Sequence, residues 1–541
     1  MNSITLQKYQ RIFLFLLIVT LPLMTIPDRF SISFLGRNLS NYFLYIGIIF
    51  FLLEYWKCGF EISSKVKFFI CCYLGWQMIC LAIGLVTYQY DALLSVAQSS
   101  KLQQVVCYLG EQGIILDEML VMKSWLFLRF TKDILVNTST VFIVTYWVYH
   151  LYQSNFSQGF KDIRRACVFL TVIMGLYSAI ELYWFKTVSG PAARILDEIN
   201  PYLYDVASVH GWWPPLEWWG QLRSICPEPS FFGILSIFIL PILWSLLFEK
   251  GYILAKLFLV FYFTFMIAAT SSRTAVIITS FQTIWFALTV YWNRTIDYLA
   301  RIVIVFVLSV GAYLFNLVDF TWVNAPQPVQ SVVTETVEAP VELEHSEQPQ
   351  EIVADAVTDV QVSEAEVEIL DERQRYLENT VLSIKDPAAR SNMARLGNTV
   401  SHLFVALKHP VFGVGTGLQA AYVDENIPDF ARENGEIQLW GTMMRSEGVL
   451  KSGYPILNNY LGIAAQNGLL GLGLYLMPVL WLLSLIWQER KNILRESRAV
   501  FLIISMLGLL MTQLCTNSLV NCNGIVWGLL FCKLHERRNM C

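Results

Sequence analysis

Apolar residues run through this 541-residue chain in long blocks rather than alternating with polar ones. A membrane-crossing helix needs roughly 20 consecutive, mostly apolar residues. Such blocks fall at 11–27, 40–56, 66–88, 132–153, 164–186, 229–248, 252–270, 274–292, 298–318, 469–487, 498–515 and 518–533. The pattern predicts an all-α polytopic membrane protein with about twelve spans, the last being the weakest, and a large external loop between the ninth and tenth. Pro22 and Pro27 interrupt the first block and no small-residue cleavage site follows. It therefore reads as a first span and not as a removed signal.

Short connections carry most of their Lys and Arg on one side, and the opposite side has few, chiefly Arg29, Arg37 and Arg273. Lys8 and Arg11, Lys57/Lys65/Lys67, Lys161/Arg164/Arg165, Lys250, Arg294/Arg301, Arg490/Lys491/Arg495/Arg498 and Lys533/Arg537/Arg538 share a face. That bias makes the face cytoplasmic and places both termini there. The chain divides into a membrane part at 1–318 with outer loops 89–131 and 187–228, an outer segment at 319–468, and a second membrane part at 469–541. Within the outer segment, 322–372 holds Asp and Glu but no Lys or Arg, and it contains Pro326, Pro328, Pro340 and Pro349. It reads as disordered or weakly helical. Residues 373–408 read as helical, with a basic face at Arg375, Arg390 and Arg395.

Composition agrees. Hydrophobic residues make up 55% and charged residues 15%, against about 25% charged in soluble domains. Mean hydropathy is +0.50. An ordinary soluble enzyme and a disordered chain are excluded on these grounds. No basic stripe suggests nucleic acid. Most cysteines (Cys71, Cys72, Cys80, Cys167, Cys522, Cys532) lie in apolar runs, where a thiol behaves as a small hydrophobe. Cys107 and Cys226 fall in loops and could pair. No CxxC metal spacing occurs.

Four clusters on the outer side could carry chemistry. Arg273 sits in a connection of a few residues between apolar runs. It either snorkels to the interface or grips a phosphate or pyrophosphate through its guanidinium fork. Arg223 poses the same choice, with an ion pair to nearby Glu228 as the plain alternative. Trp212, Trp213, Trp218 and Trp219 read most simply as an interfacial belt; stacking on sugar is the second reading. Gly413, Gly415 and Gly417 make a GxGxG turn that could bring backbone N–H groups to an anion. His409 is a candidate base. His402 lies seven residues earlier, and no third ligand accompanies the two. No Ser/His/Asp set, Walker loop or intramembrane Asp/Glu relay stands out.

Taken in order, these strings resemble the bacterial O-antigen polymerase and ligase superfamily, the Wzy-like and WaaL-like membrane glycosyltransferases. The resemblance rests on Arg223 with Pro227-Glu228-Pro229-Ser230, on Ser272-Arg273-Thr274, and on His409-Pro410-Val411-Phe412-Gly413-Val414-Gly415. It continues through Leu457-Asn458-Asn459-Tyr460-Leu461 into a Gly-rich GLLGL helix, and it covers roughly 220–475. At the position where ligases carry a candidate base His, this chain has Leu457, which favours a polymerase-like member.

The resemblance implies a metal-independent transfer, without cofactor, at the periplasmic face of the bacterial inner membrane. The donor would be a glycan on undecaprenyl pyrophosphate. For a polymerase, the acceptor is another lipid-linked repeat. Catalytic roles would fall on Arg273, Arg223, His409 and Glu228, with Glu447 a further weak candidate for the base. Substrate contacts would fall on Arg390, Arg395, Asn458, Asn459, Tyr460, Gly413, Gly415, Trp218 and Trp219. Beyond the lipid-linked glycan and the bilayer, a polysaccharide co-polymerase that regulates chain length is a partner the resemblance allows. The rivals are a ligase that moves finished polymer to lipid A–core and, in another class, a flippase of lipid-linked sugars. A flippase often shows paired broken helices and internal symmetry, and no internal repeat is evident.

Overall fold

A computed structural model describes residues 3–32, 35–113, 117–187, 191–204, 221–293, 296–319, 390–449 and 453–538. The acidic segment 322–372, Arg375 and the four tryptophans at 212, 213, 218 and 219 lie outside these residues. Among the described residues the chain is all-helical, and its β structure is one isolated bridge, Ile32–Gly36.

Helices α1 (Ser3–Val19), α2 (Leu39–Cys58) and α3 (Ser64–Val86) open the chain. The first begins well before the apolar block expected at 11–27 and stops short of Pro22. After α4 (Ser100–Glu111), α5 (Glu118–Thr138) and α6 (Val144–Tyr152) form one rod joined by a π turn at Ser139–Ile143. Then come α7 (Phe156–Thr187), α8 (Pro191–Leu203), α9 (Pro229–Trp244), α10 (Ile253–Ala269), α11 (Arg273–Asn293) and α12 (Ile296–Asp319). Residues 390–449 contribute α13 (Arg390–Lys408), α14 (Gln419–Glu425), α15 (Asp429–Arg432) and α16 (Gly435–Glu447). The chain closes with α17 (Asn459–Gln488), α18 (Arg490–Ile493), α19 (Ser497–Thr512) and α20 (Asn521–Arg538).

Among the described residues, six helices are long and apolar enough to cross a membrane: Leu39–Cys58, Ser64–Val86, Glu118–Tyr152, Phe156–Phe185, Pro229–Phe248 and Asn459–Gln488. Shorter apolar helices cover Ile253–Ala269, Ala300–Gly311 and Ser497–Thr512. Two carboxylates that the sequence reading passed over, Glu54 and Glu181, are buried in helices of crossing length.

Helix α9 is apolar on every side, as a helix enclosed by others must be, and α7, α10, α11 and α19 surround it. Gly233 sets its approach to α11: a Cβ there would lie 2.8 Å from both Ala275 Cβ and Ser272 Oγ. The Gln282 amide donates to Ile237 O (3.0 Å) and Ile504 O (3.2 Å), pinning α9, α11 and α19 at one level. At the other side of the bundle α20 lies tightly on α6. A Cβ on Gly524 would stand 2.7 Å from Val141 O, and one on Gly528 2.7 Å from Thr145 O. This GxxxG spacing lets two backbones touch where bulkier residues would hold them apart.

Helices α13–α16 have their own core. Val405, Val423, Ile437 and Met444 pack with Leu81, Leu85, Met122 and Leu126 of α3 and α5 and with Ala464 and Ala465 of α17. This segment is thus seated on the ends of three long helices.

Candidate functional site

The site is built where α11, α13 and the link after α19 meet. Arg273 is the first residue of α11, half-buried, and its Nη1 donates to Asn392 Oδ1 of α13 at 3.0 Å. Arg395 stands one turn beyond Asn392, on the same face of α13, and is exposed. Cys515, in the link after α19, lies beside Thr274, the residue after Arg273, and in the field of Arg395. Two guanidinium groups therefore face one corner at the N-terminus of α11, where negative charge is favoured.

The Asn-rich string reaches the same corner from the other side. The Asn398 amide donates to Pro455 O at 2.7 Å. Asn458 caps α17 by accepting from Leu461 N (3.1 Å). Asn459 binds Gln513 twice, backbone N to Gln513 O at 2.8 Å and Nδ2 to Gln513 Oε1 at 2.7 Å. Tyr460 donates to Leu510 O at 2.9 Å. These residues hold α17 to the end of α19, two residues from Cys515. Sequence reasoning missed Asn392, Gln513 and Cys515, since neutral side chains carry no pattern that marks them.

Three other expected participants have partners of their own. Arg223 has no exposed surface. A carboxylate partner is Glu181 of α7, 3.8 Å away. Glu181 also accepts from the backbone N of Ser224 (2.8 Å), and the guanidinium lies 4.7 Å over the Tyr204 ring. Glu228 precedes α9 and accepts from Ser230 Oγ at 3.0 Å.

His409 lies 17 residues beyond Asn392 along α13, about 25 Å at the helical rise. It meets Tyr422 edge-on, at 5.5 Å between rings. Partial burial, then the charge of Lys408, holds its pKa below the ordinary histidine range. His402 is nearer the corner and fully buried. Its Nδ1 meets Asn398 O at 2.8 Å, and its Nε2 has no hydrogen-bond partner among the described residues.

The glycine turn has a different task. Helix α17 breaks at Gly468 (φ 68°, ψ 179°), close to where the apolar block expected at 469–487 begins. Loop 410–416 plugs the break. Val414 N donates to Ala465 O and Gly415 N to Gln466 O, both at 2.9 Å, and Leu469 N returns to Pro410 O at 2.8 Å. Trp76 Nε1 takes the third freed carbonyl, Asn467 O, at 2.9 Å. Gly413 (φ 65°) and Gly415 (φ 91°) have left-handed backbone, and at Gly413 a Cβ would lie 2.4 Å from the backbone of Gln466. Gly413 N is used by His409 O at 3.0 Å. These amides complete a broken helix, which leaves none of the three for an anion.

Sequence comparison supplies no further assignment. No protein-family model matches the chain, and no curated protein matches it. The site rests on its geometry and on the strings described above. Arg390 opens α13 beside the corner, and its side chain lies outside the described residues. Cys107 and Cys226 are both free thiols.

Proposed function

We propose that this protein is a membrane glycosyltransferase that joins oligosaccharide repeat units carried on a lipid pyrophosphate into a surface polysaccharide. The convergence of Arg273 and Arg395 at the starts of α11 and α13 is the observation that carries this reading. Transfer breaks the bond between the anomeric carbon and the pyrophosphate oxygen, and charge grows on the departing diphosphate. Fixed cations aimed at that charge lower the barrier. An acceptor hydroxyl attacks the anomeric carbon and loses its proton late, so orientation and leaving-group stabilisation carry the step.

In this proposal about twelve helices cross the inner membrane, both termini face the cytoplasm and 319–468 faces the periplasm, as the Lys/Arg bias supports. Leu457 disfavours the ligase, because it cannot accept a proton. The test is the lipid-linked glycan that builds up in cells lacking the protein. A single accumulated repeat on the outer face is the expected result. Long unligated chains would establish a ligase, and substrate trapped on the inner face a flippase.

A further inference from the structure

A groove of about 700 Å³ runs between α1 and α7, remote in sequence from every string discussed so far. Its depth is apolar, lined by Ile12, Leu14, Phe15 and Ile18. Its mouth is charged, with Lys8, Arg11 and Arg165 against one carboxylate, Asp162. Asp162 is already engaged: Tyr152 donates to it at 3.0 Å, Gln158 at 2.7 Å, and Arg165 lies 3.7 Å away. Arg11 sits 5.6 Å over the Tyr152 ring. Its Nε is covered by protein and has no hydrogen-bond partner among the described residues. That one donor is covered at the rim of an apolar slot, a position that calls for an acceptor.

We infer that the α1–α7 groove binds one anionic phospholipid, with an acyl chain along Ile12, Phe15 and Ile18 and its phosphate on Lys8 and Arg11. The occupant follows from the chemistry of the slot. A soluble anion would leave the apolar depth empty, and a zwitterionic lipid would bring its own cation to a mouth that already carries three against one carboxylate. The guanidinium and ammonium groups supply charge-assisted hydrogen bonds to phosphate, and the slot removes acyl methylenes from competing contacts. The inference rests on the membrane reading of the chain and is independent of the transferase proposal.

The experiment uses the full chain in a neutral detergent. Phosphatidylglycerol or phosphatidylcholine is added, thermal unfolding is followed, and retained lipids are counted by native mass spectrometry. Phosphatidylglycerol is expected to raise the unfolding temperature and to leave one tightly held molecule, whereas phosphatidylcholine does neither. The double variant Lys8→Gln, Arg11→Gln should unfold at the lipid-free temperature of the parent and bind phosphatidylglycerol at least tenfold more weakly. An equal response of the parent chain to phosphatidylcholine would overturn the inference whether or not the variant folds. Undiminished phosphatidylglycerol binding by the variant would do the same.

Discussion

Arg223 and Arg273 look alike in sequence. Each stands at or shortly before the start of an apolar helix, and each has a small polar residue beside it. In the structure their circumstances are opposite. Arg223 is sealed against Glu181, and its neighbour Ser224 anchors the same carboxylate. Arg273 is half-exposed and is held by the neutral Asn392. The difference lies in where the counter-charge comes from. A cation whose carboxylate belongs to the protein serves the fold. A cation positioned by an amide keeps its charge for something that arrives from outside.

The sharpest way to break this comparison is to remove the buried cation. Arg223→Ala strands Glu181, and breaking a buried pair costs about 3–5 kcal/mol. The expected outcome is loss of folded protein, read as the yield of monodisperse protein after detergent extraction. Substituting both partners by Met should recover most of that yield. Normal yield with lost transfer in Arg223→Ala would return Arg223 to the reaction.

Next in size is Arg273→Ala. Yield should be unchanged while polymer formed per inserted protein falls about a hundredfold, corresponding to roughly 3 kcal/mol of transition-state stabilisation. Arg273→Lys should recover only part, since an ammonium lacks the fork. Full recovery by Lys, or a fall in yield with Ala, would mean simple interfacial anchoring.

Asn392→Ala loosens the guanidinium without removing it. Losing one such hydrogen bond is worth about 1 kcal/mol, so transfer should drop several-fold and yield should hold. A loss as large as that of Arg273→Ala would make Asn392 more than a support.

The smallest effect concerns pH. His409 has its folded pKa below the ordinary value, so the ring is neutral at pH 7 and protonates only on acidification. Its contribution to stability is lost as pH falls through that lowered value, because the unfolded chain binds the proton more readily. Transfer by His409→Gln should stay within about twofold of the parent at pH 7–8, given the roughly 25 Å of helix between His409 and Asn392, the partner of Arg273. A tenfold loss would bring His409 back as the base.

Much of the bundle was legible. α3, α7 and α9 lie where uninterrupted apolar runs put them, because bilayer thickness and enclosure both demand such runs. The beginning of α5 was not: Lys123, Arg129 and Lys132 break the apolar pattern of 118–132 and hid its helical face. Arg223 was visible as a cation, but its partner is 42 residues away inside an apolar stretch, where spacing gives no sign of it. The glycines at 413 and 415 were visible as a turn. Their purpose depends on Gly468, and no local pattern links a turn to a distant helix break. Asn392 and Gln513 were silent for the same reason.

The plugged break in α17 also has a consequence for how the chain is made. Loop 410–416 leaves the ribosome before the helix it completes, with Thr416 and its partner Asn467 51 residues apart. The helix that will expose three bare carbonyls thus emerges when the amides that satisfy two of them are already synthesised, while Trp76, partner of the third, is older still. Closing a span of that length is entropically modest, growing only with the logarithm of its length. A rearranged gene that placed 459–488 ahead of 410–416 would deliver the break first and its plug last, leaving backbone acceptors uncovered in a growing, half-inserted chain.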